Sequence, residues 1–184
     1  TAAKAPERTF PPLREAGIQA ERAMFRATGG VNTHKGAVFS MGCALGACGR
    51  LWTPEGPCRE AERILTECRR MAAPAMAADW ARLNPQRART GGEKLYVSAG
   101  LRGGRGEAAD GFPSVLRVGL PALRGAIERG SDLEEAGIAA LLALIARAED
   151  TNLVVRGGPE GRRWAAEQAE RLLRETPRPS RRAV

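Results

Sequence analysis

The chain has 184 residues, of which 43% are hydrophobic, a composition typical of one globular domain with its own core. Its formal net charge is +8, which suits a nucleic acid, an acidic protein or a poly-anionic small ligand. Aromatic residues make up only 4%, too few for a base-stacking surface of the usual kind, so nucleic acid is the disfavoured partner.

The first predicted elements are helices, because alanine, leucine, arginine and glutamate dominate and alternating β-branched runs are absent. In the helix over residues 13–27, Glu21 falls in the middle of the apolar arc, where a carboxylate needs a partner such as an arginine. A second helix is predicted to begin near Gly36 and to run through VFSMGCALGACGRL. The third is predicted from Pro57 to Ala73, with a break or kink at Pro74 and a continuation to Leu83.

Further along, the glycine-rich residues 90–112 predict a long loop between helices. The remaining predictions are helical: Ser114 to Arg129 with a kink at Pro121, a capping box of Ser131 with Glu134, a central buried helix over AGIAALLALIARAED, and an amphipathic helix from Pro159 to Arg174. The predicted fold is therefore all-α. It is a compact multi-helix domain over residues 1–175 with glycine-rich inter-helix loops forming the site, followed by a disordered basic tail over 176–184.

The four cysteines, Cys43, Cys48, Cys58 and Cys68, match no zinc-finger or zinc-ribbon spacing. Reduced, buried thiols are the preferred interpretation, and a disulfide framework is the alternative. The apolar run from 136 to 146 is too short to span a bilayer, and no secretory signal is recognisable. We therefore expect a cytoplasmic protein that does not contact a membrane.

Three glycine-rich polar stretches separate the helices: TGGVNTHKG, TGGEKLYVSAGLRGGRGE and EDTNLVVRGG, called here the first, second and third junctions. Lysine occurs only at Lys4, Lys35 and Lys94 in this arginine-rich chain, and two of those three lie in the junctions. Lysine and arginine are not interchangeable where a compact ammonium must approach phosphate. This distribution indicates that the junctions form a functional site.

The first junction has the features of a phosphate-binding turn, although its spacing is not that of a P-loop. Gly29 and Gly30 allow conformations that expose backbone N–H groups, and the following helix N-terminus attracts anions, with Lys35 adding a charge. A plain glycine turn between helices remains the alternative. His34, the only histidine, is either catalytic or an ordinary hydrogen-bonding residue.

The second and third junctions add cations and oxygen ligands. Arg102 and Arg105 lie on a glycine-rich stretch that can fold over a polyphosphate, with a solvated flexible loop as the alternative. Asp150 and Asn152 offer oxygens to magnesium, which proteins hold through one or two carboxylates plus substrate phosphates. Since Asp150 is predicted at a helix C-terminus, where the dipole disfavours an acid, a cation partner is the more plausible.

TGGVNTHKGAVFSMG, TGGEKLY followed by GLRGGRGEAADGFPSV, and EDTNLVVRGG occur in this order, and together they resemble the triphosphoribosyl-dephospho-CoA synthase family. That family serves citrate lyase and malonate decarboxylase. The resemblance runs from Leu13 to Gly158 and implies an all-helical enzyme. Such an enzyme joins ATP to 3′-dephospho-CoA with magnesium and expels adenine, and its product is the prosthetic-group precursor of an acyl carrier protein.

The resemblance also implies roles for individual residues. Glu21 and Asp150 would hold magnesium or act as the base, and Glu93 and Glu107 are competing acids. The cationic phosphate contacts would be Lys35, Arg102, Arg105 and Arg156. The side chains that orient the ribose or nucleobase would be Asn32, His34 and Asn152. Substrate or phosphate contacts are further expected at Gly29, Gly30, Thr33 and Lys94.

The resemblance implies ATP and 3′-dephospho-CoA as substrates, and a downstream transferase and an acyl carrier protein as functional partners. Members of that family carry an N-terminal helical portion with its own motifs, and nothing in residues 1–12 resembles it. A second copy of the chain or a separate N-terminal portion is therefore expected to complete the site. The alternative function is a catalytically incomplete helical module that binds nucleotide or CoA.

Overall fold

A computed structural model describes residues 5–175, which are all-α as predicted. The helices are α1 Pro6–Ala27, α2 Lys35–Arg50, α3 Ala61–Ala81, α4 Gly91–Ala99, α5 Gly103–Asp110, α6 Leu120–Glu128, α7 Leu133–Arg147 and α8 Thr151–Glu175, with a π-helical turn at Val115–Gly119. Helix α8 is interrupted at Gly158, whose φ is +67°, so its second part begins at Pro159, as the sequence predicted. None of the helices in this described part has the length and apolarity needed to cross a membrane. The predicted tail over 176–184 lies outside the described residues.

The chain divides into two compact units. Unit 1 comprises residues 5–83 and 104–112, and unit 2 comprises 84–103 and 113–175. The single domain expected over 1–175 stays a prediction.

Unit 1 is built on α1, α2 and α3, each of which packs against the other two. Helices α1 and α2 run antiparallel, because Gly46 lies against Leu13 while Lys35 meets Glu21. A buried ion pair joins the three helices: the Arg50 guanidinium donates hydrogen bonds to the Glu67 carboxylate and to the Thr9 hydroxyl. A carboxylate buried as deeply as Glu67 needs such a partner, so this network fixes how the helices pack.

Helix α3 departs from the prediction at its start and at Pro74. It begins at Ala61 rather than Pro57, and it continues through Pro74 without ending there. A proline removes one hydrogen bond from the helical ladder. The helix nevertheless continues, with Met71 and Met76 buried on either side of the proline.

Unit 2 is organised around α7, which packs against α6, α8 and the π-helical turn. Ala136, Ala139 and Leu142 are buried on its inner side. Leu133 and Leu141 are exposed, so the helix predicted to be central and buried is buried on one side only. The helix is nevertheless central, because its inner side packs against the other elements of the unit.

Two local predictions in unit 2 need correction. The capping box of α7 is made by Asp132 and Glu135, since Glu135 N donates to Asp132 Oδ1 at 2.8 Å and Asp132 N donates to Glu135 Oε2 at 3.3 Å. Ser131 is buried one position earlier and does not start the helix. Pro121 lies in the first turn of α6, directly after the π-helical turn. The irregularity expected around this proline is therefore that π-helical turn.

The long loop predicted over 90–112 is wrong, because this segment forms α4 and α5. Thr90 and Glu93 make a complete capping box that starts α4. Helix α5 buries Ala108 and Ala109. Capping and burial thus outweigh the low helix propensity of the glycines. The expected glycine-rich site loop is, in this part of the chain, a pair of short helices.

Candidate functional site

The first junction is a structured connection between α1 and α2. Gly29 and Gly30 have φ angles of +63° and +91°, which glycine adopts without strain. Gly30 N donates to Phe25 O at 2.8 Å, closing the end of α1. Lys35 N donates to Asn32 Oδ1 at 3.1 Å, so Asn32 caps the start of α2. The junction thereby fixes the position of the Lys35 backbone, from which its side chain extends.

His34 and Thr33 are exposed neighbours in this junction. His34 Nδ1 and Thr33 Oγ1 lie 2.8 Å apart, within hydrogen-bonding distance. The backbone N–H of His34 donates to Met24 Sδ at 3.1 Å. These contacts fit the hydrogen-bonding alternative for His34, and a catalytic role stays a prediction.

Glu21 makes an ion pair with Lys35, whose Nζ lies 3.2 Å from Glu21 Oε2. The Glu21 side chain is 23% exposed and that of Lys35 is 43% exposed, so the pair is reachable from solvent. The partner expected for Glu21 was an arginine, and the structure supplies a lysine instead. A carboxylate and an ammonium that the sequence assigned to a site therefore do meet in space.

The pair lies on the wall of a cavity of about 530 Å³ in unit 1, a volume in the range of small-molecule sites. Helices α1 and α2 form most of the wall, and Arg105 of α5 joins them. The wall is largely aliphatic, with Leu13, Ile18 and Val38 among its residues. Glu21, Lys35 and Arg105 are the three predicted site residues that this cavity brings together.

Sequence reasoning missed a second ion pair in the same cavity. Arg14 donates to both carboxylate oxygens of Asp79, at 3.2 and 2.7 Å, and its guanidinium carbon lies 4.9 Å from the centroid of the Phe10 ring. Such a bidentate pair holds both side chains in a defined geometry. The available signal was the helical spacing of Arg14 relative to Phe10, Gly17 and Ile18, which places a charge within an apolar stripe.

In the second junction, the predicted acid Glu93 has a structural role. Its Oε2 accepts from Arg89 N at 2.9 Å and from Thr90 N at 3.0 Å, as part of the α4 capping box. Lys94 follows it and is exposed. Glu93 is therefore less suited to act as a base than Glu21, because its carboxylate stabilises the helix start.

Asp150 lies at the start of α8 and not at the end of α7, which ends at Arg147. Its Oδ1 accepts from Asn152 N at 2.8 Å and from Leu153 N at 3.1 Å. A carboxylate at a helix N-terminus is favoured by the dipole. The dipole argument for a cation at Asp150 is thus wrong, and capping explains this acid without a metal.

The second and third junctions meet within unit 2. Gly103 N donates to Glu149 Oε1 at 3.0 Å, and a Cβ at Gly103 would come within 2.7 Å of Thr151 Oγ1. This contact sets Arg102 beside the start of α8, which carries Asp150. The remaining predicted residues of these junctions are Asn152 and Arg156, both exposed, and Glu107, half-buried in unit 1.

The expected magnesium fits these residues only in part. Glu21 is paired with an ammonium group, whose charge repels a cation, so it does not fit a metal ligand. Asp150 commits one carboxylate oxygen to the helix cap and has the other to offer. Within residues 5–175 no three His, Cys, Asp or Glu side chains cluster closely enough to hold a metal ion. A magnesium ion here would depend on substrate phosphates for most of its ligands.

Comparison with known proteins gives matches along the whole chain. The family model described as ATP:dephospho-CoA triphosphoribosyl transferase matches residues 1–184. A protein of Citrobacter koseri named probable 2-(5''-triphosphoribosyl)-3'-dephosphocoenzyme-A synthase is 43% identical over 166 residues, 89% of this chain and 53% of that protein. A protein of the same name in Photobacterium profundum is 40% identical over 164 residues, 89% of this chain and 52% of that protein. The chain thus spans about half the length of these curated relatives, and no solved structure matches it.

Proposed function

The chain belongs to the ATP:dephospho-CoA triphosphoribosyl transferase family, and we propose that it transfers the triphosphoribosyl group of ATP to 3′-dephospho-CoA with release of adenine. One structural observation carries this proposal: Glu21 and Lys35 lie 3.2 Å apart on the wall of a cavity large enough for a substrate. The reaction needs a proton acceptor beside a phosphate-binding cation. This pair supplies both groups in one place.

In the proposed step, the 2′-hydroxyl oxygen of dephospho-CoA forms a bond to the anomeric carbon of the ATP ribose. The bond from that carbon to the adenine nitrogen breaks, and its electron pair leaves with adenine. Glu21 accepts the hydroxyl proton, and a proton returned to the leaving base completes neutral adenine. The carboxylate also stabilises positive charge that develops on the ribose, as in glycoside chemistry. The triphosphate remains intact.

The cations would hold the triphosphate while this occurs. Lys35 and Arg105 are proposed to do so from the cavity of unit 1. Arg102 and Arg156, which lie in unit 2, stay phosphate contacts predicted from the sequence. Asp150 is the proposed carboxylate ligand of magnesium, which would supply neutralisation of phosphate charge. Asn32, His34 and Asn152 are proposed to orient the ribose or base.

The product of this transfer is 2′-(5″-triphosphoribosyl)-3′-dephospho-CoA. We propose that a downstream transferase attaches it to the acyl carrier protein of malonate decarboxylase or citrate lyase, and that all of this takes place in the cytoplasm. A second copy of the chain, or a separate N-terminal portion, is the proposed addition that completes the site.

The test is adenine release from ATP by the purified chain, with magnesium, in the presence and absence of 3′-dephospho-CoA. Release that requires dephospho-CoA supports the transferase. Lys35→Ala should abolish this release without changing the helical circular dichroism. ATP binding without any release would show that these residues do not suffice for the transfer: either the separate N-terminal portion is required, or the alternative, a helical nucleotide- or CoA-binding module, is correct. Absence of both release and ATP binding would contradict the transferase. That alternative has one observation in its favour, which is the coverage of about half of each relative.

A further inference from the structure

Two glycines open the wall of the unit 1 cavity. Gly17 on α1 and Gly42 on α2 both line it, and a Cβ added at either position would meet no heavy atom within 4 Å. Glycine inside a helix costs roughly 0.5–1 kcal/mol relative to alanine. Helix packing does not require these two, unlike Gly46, where a Cβ would come within 2.9 Å of Leu13. Their effect is to keep the cavity wide.

The cavity is elongated along the α1–α2 pair. Its α1 residues run from Phe10 to Glu21, which is roughly 16 Å at 1.5 Å per residue. At one end lies the Glu21–Lys35 pair, and toward the other lies the Arg14–Asp79 pair. Between these ends the wall is aliphatic, as described above. The space therefore suits a long chain that is apolar in its middle and polar at its ends.

Aliphatic residues of this wall remain exposed. Met41 is 62% exposed and Leu45 is 67% exposed, and both line the cavity. Ile18, on the facing side of α1, is also exposed. Apolar surface grouped in this way marks a contact site, and scattered single residues do not.

The aromatic residues of the cavity are not available to stack on a nucleobase. Phe10 is only 2% exposed, and the Arg14 guanidinium lies over its ring. Phe39 packs against Phe10 edge to face, with centroids 6.5 Å apart and an interplanar angle of 78°. A base would gain little stacking here. Methyl and methylene groups would find the aliphatic wall, and an amide would find a donor in Arg14 and an acceptor in Asp79.

We propose that this cavity binds the pantetheine arm of 3′-dephospho-CoA. The arm carries methylene and methyl groups between two amides, which matches the aliphatic wall and the Arg14–Asp79 pair. The diphosphate end of the arm faces the Glu21 end of the cavity, so the ribose that follows it lies toward the proton acceptor, while Lys35 keeps its proposed contact with the ATP triphosphate. This inference rests on the proposed function for the identity of the substrate, and it names the part of the substrate that the cavity holds.

The test fills the cavity without weakening the helices. Gly17→Leu and Gly42→Leu place a side chain into the open space, and leucine is a better helix former than glycine. Gly49→Leu is the matched control, because Gly49 lies on α2, is exposed and also has open space around a Cβ. Calorimetry with pantetheine and with 3′-dephospho-CoA should show at least tenfold weaker binding to both cavity variants and unchanged binding to Gly49→Leu. Equal binding to all four proteins overturns the proposal.

Steady-state kinetics separates this inference from the proposed function. If the chain is the transferase, Gly42→Leu should raise the KM for dephospho-CoA at least tenfold and leave the KM for ATP unchanged. ADP is an acceptor that lacks the pantetheine arm. Its rate of reaction should therefore be the same with Gly42→Leu as with the wild type. Adenine release with an unchanged KM for dephospho-CoA overturns the cavity assignment and leaves the transferase standing. Pantetheine binding that Gly42→Leu removes, in a chain that never releases adenine, supports the cavity assignment without support for the transferase.

Two other occupants predict different results. If the adenine of ATP fills the cavity, Gly42→Leu raises the KM for ATP, which overturns the proposal. If the exposed apolar wall joins two copies of the chain, the same variant changes the molar mass measured by light scattering and leaves pantetheine binding intact. That result also overturns it.

Discussion

At the scale of single residues, Glu21 and Lys35 connect the sequence pattern to the proposed chemistry. Glu21 is the acid within the apolar arc of α1, and Lys35 is one of the few lysines in the chain. The capped turn between them brings both to one cavity wall. A pair this exposed contributes only about 0–1 kcal/mol to folding, so its removal should affect catalysis far more than stability.

Glu21→Gln should lower kcat for adenine release by about 10²–10⁴, the usual contribution of a general base. Its effect on the KM for ATP should be small, since glutamine keeps the size of the side chain. Lys35→Ala should instead abolish turnover and weaken the binding of ATP measured by calorimetry, because it removes a phosphate contact. The turnover of both variants is measured by adenine release, and their stability is measured by urea unfolding.

Arg63→Ala is the control for that experiment. It removes another exposed ion pair, Arg63 with Glu60, whose atoms lie 3.0 Å apart and away from the cavity. Its kinetics should equal those of the wild type. A Glu21→Gln protein with an unchanged kcat would exclude Glu21 as the base and leave Glu93, Glu107 and Asp150 as the remaining predicted acids.

The buried thiols give a pH-dependent prediction. All four cysteines are free; Cys43 and Cys68 are buried, as predicted, whereas Cys48 and Cys58 are only half-buried. Burial raises the pKa of Cys43 to about 11 and that of Cys68 to about 12, from 9.0. The unfolded chain therefore loses these protons at lower pH than the folded chain. Their contribution to stability is full below pH 9 and is lost as the pH rises toward 11 and 12.

The free energy of unfolding in urea should accordingly fall between pH 9 and 11 more steeply in the wild type than in the Cys43→Ala/Cys68→Ala double variant. Lysines and the tyrosine also titrate in this pH range, but they do so in both proteins. Their contribution therefore cancels when one free energy of unfolding is subtracted from the other. Parallel curves would show that neither thiol is protected from ionisation in the folded chain.

At the scale of the secondary-structure elements, the sequence predicted α2 nearly to the residue, because its start follows a glycine turn and its length follows an uninterrupted apolar run. Residues 90–112 were predicted as a loop because their glycine content is high. Two facts that depend on side-chain geometry decide otherwise: the Thr90–Glu93 capping box and the burial of α5 residues. Asp150 was misplaced for a related reason, because the chain after α7 turns at once into α8.

The contact between the second and third junctions can be tested at Gly103. Its φ is +51°, and a Cβ there would lie 2.7 Å from Thr151 Oγ1. Gly103→Ala should therefore destabilise the chain by more than about 1 kcal/mol, measured as a lower urea midpoint. We also expect a higher KM for ATP, because Arg102 and Asp150 would be displaced relative to each other.

Gly104→Ala is the matched control. A Cβ at Gly104 meets nothing within 4 Å and its φ is not positive. This variant should be neutral or slightly stabilising, since alanine is the better helix former. If Gly103→Ala behaved in the same way, the contact would not hold the two junctions together.

At the scale of the whole molecule, the sequence predicted the residue types of the site better than their arrangement. The junctions pointed to Lys35 and Arg105, and the apolar arc of α1 pointed to Glu21; the cavity of unit 1 brings all three together. The Arg14–Asp79 pair was not predicted, because its partners lie far apart in the sequence and only tertiary packing joins them. The apolar part of the cavity was not predicted either, because the aliphatic wall of a cavity and an ordinary core have the same sequence pattern.

The net charge of +8 leads to the last prediction, which separates a small-molecule enzyme from a nucleic-acid binder. Binding to non-specific DNA should fall steeply as salt rises from 50 to about 200 mM, because it depends on counterion release. Deletion of residues 176–184, which include Arg178, Arg181 and Arg182, should weaken that binding further. Adenine release should persist in the deleted chain at 200 mM salt with a kcat within about twofold of the full chain, since specific contacts hold its substrates. Loss of release on deletion, together with tight DNA binding by the full chain at that salt concentration, would identify the arginine-rich end as the functional part and contradict the transferase.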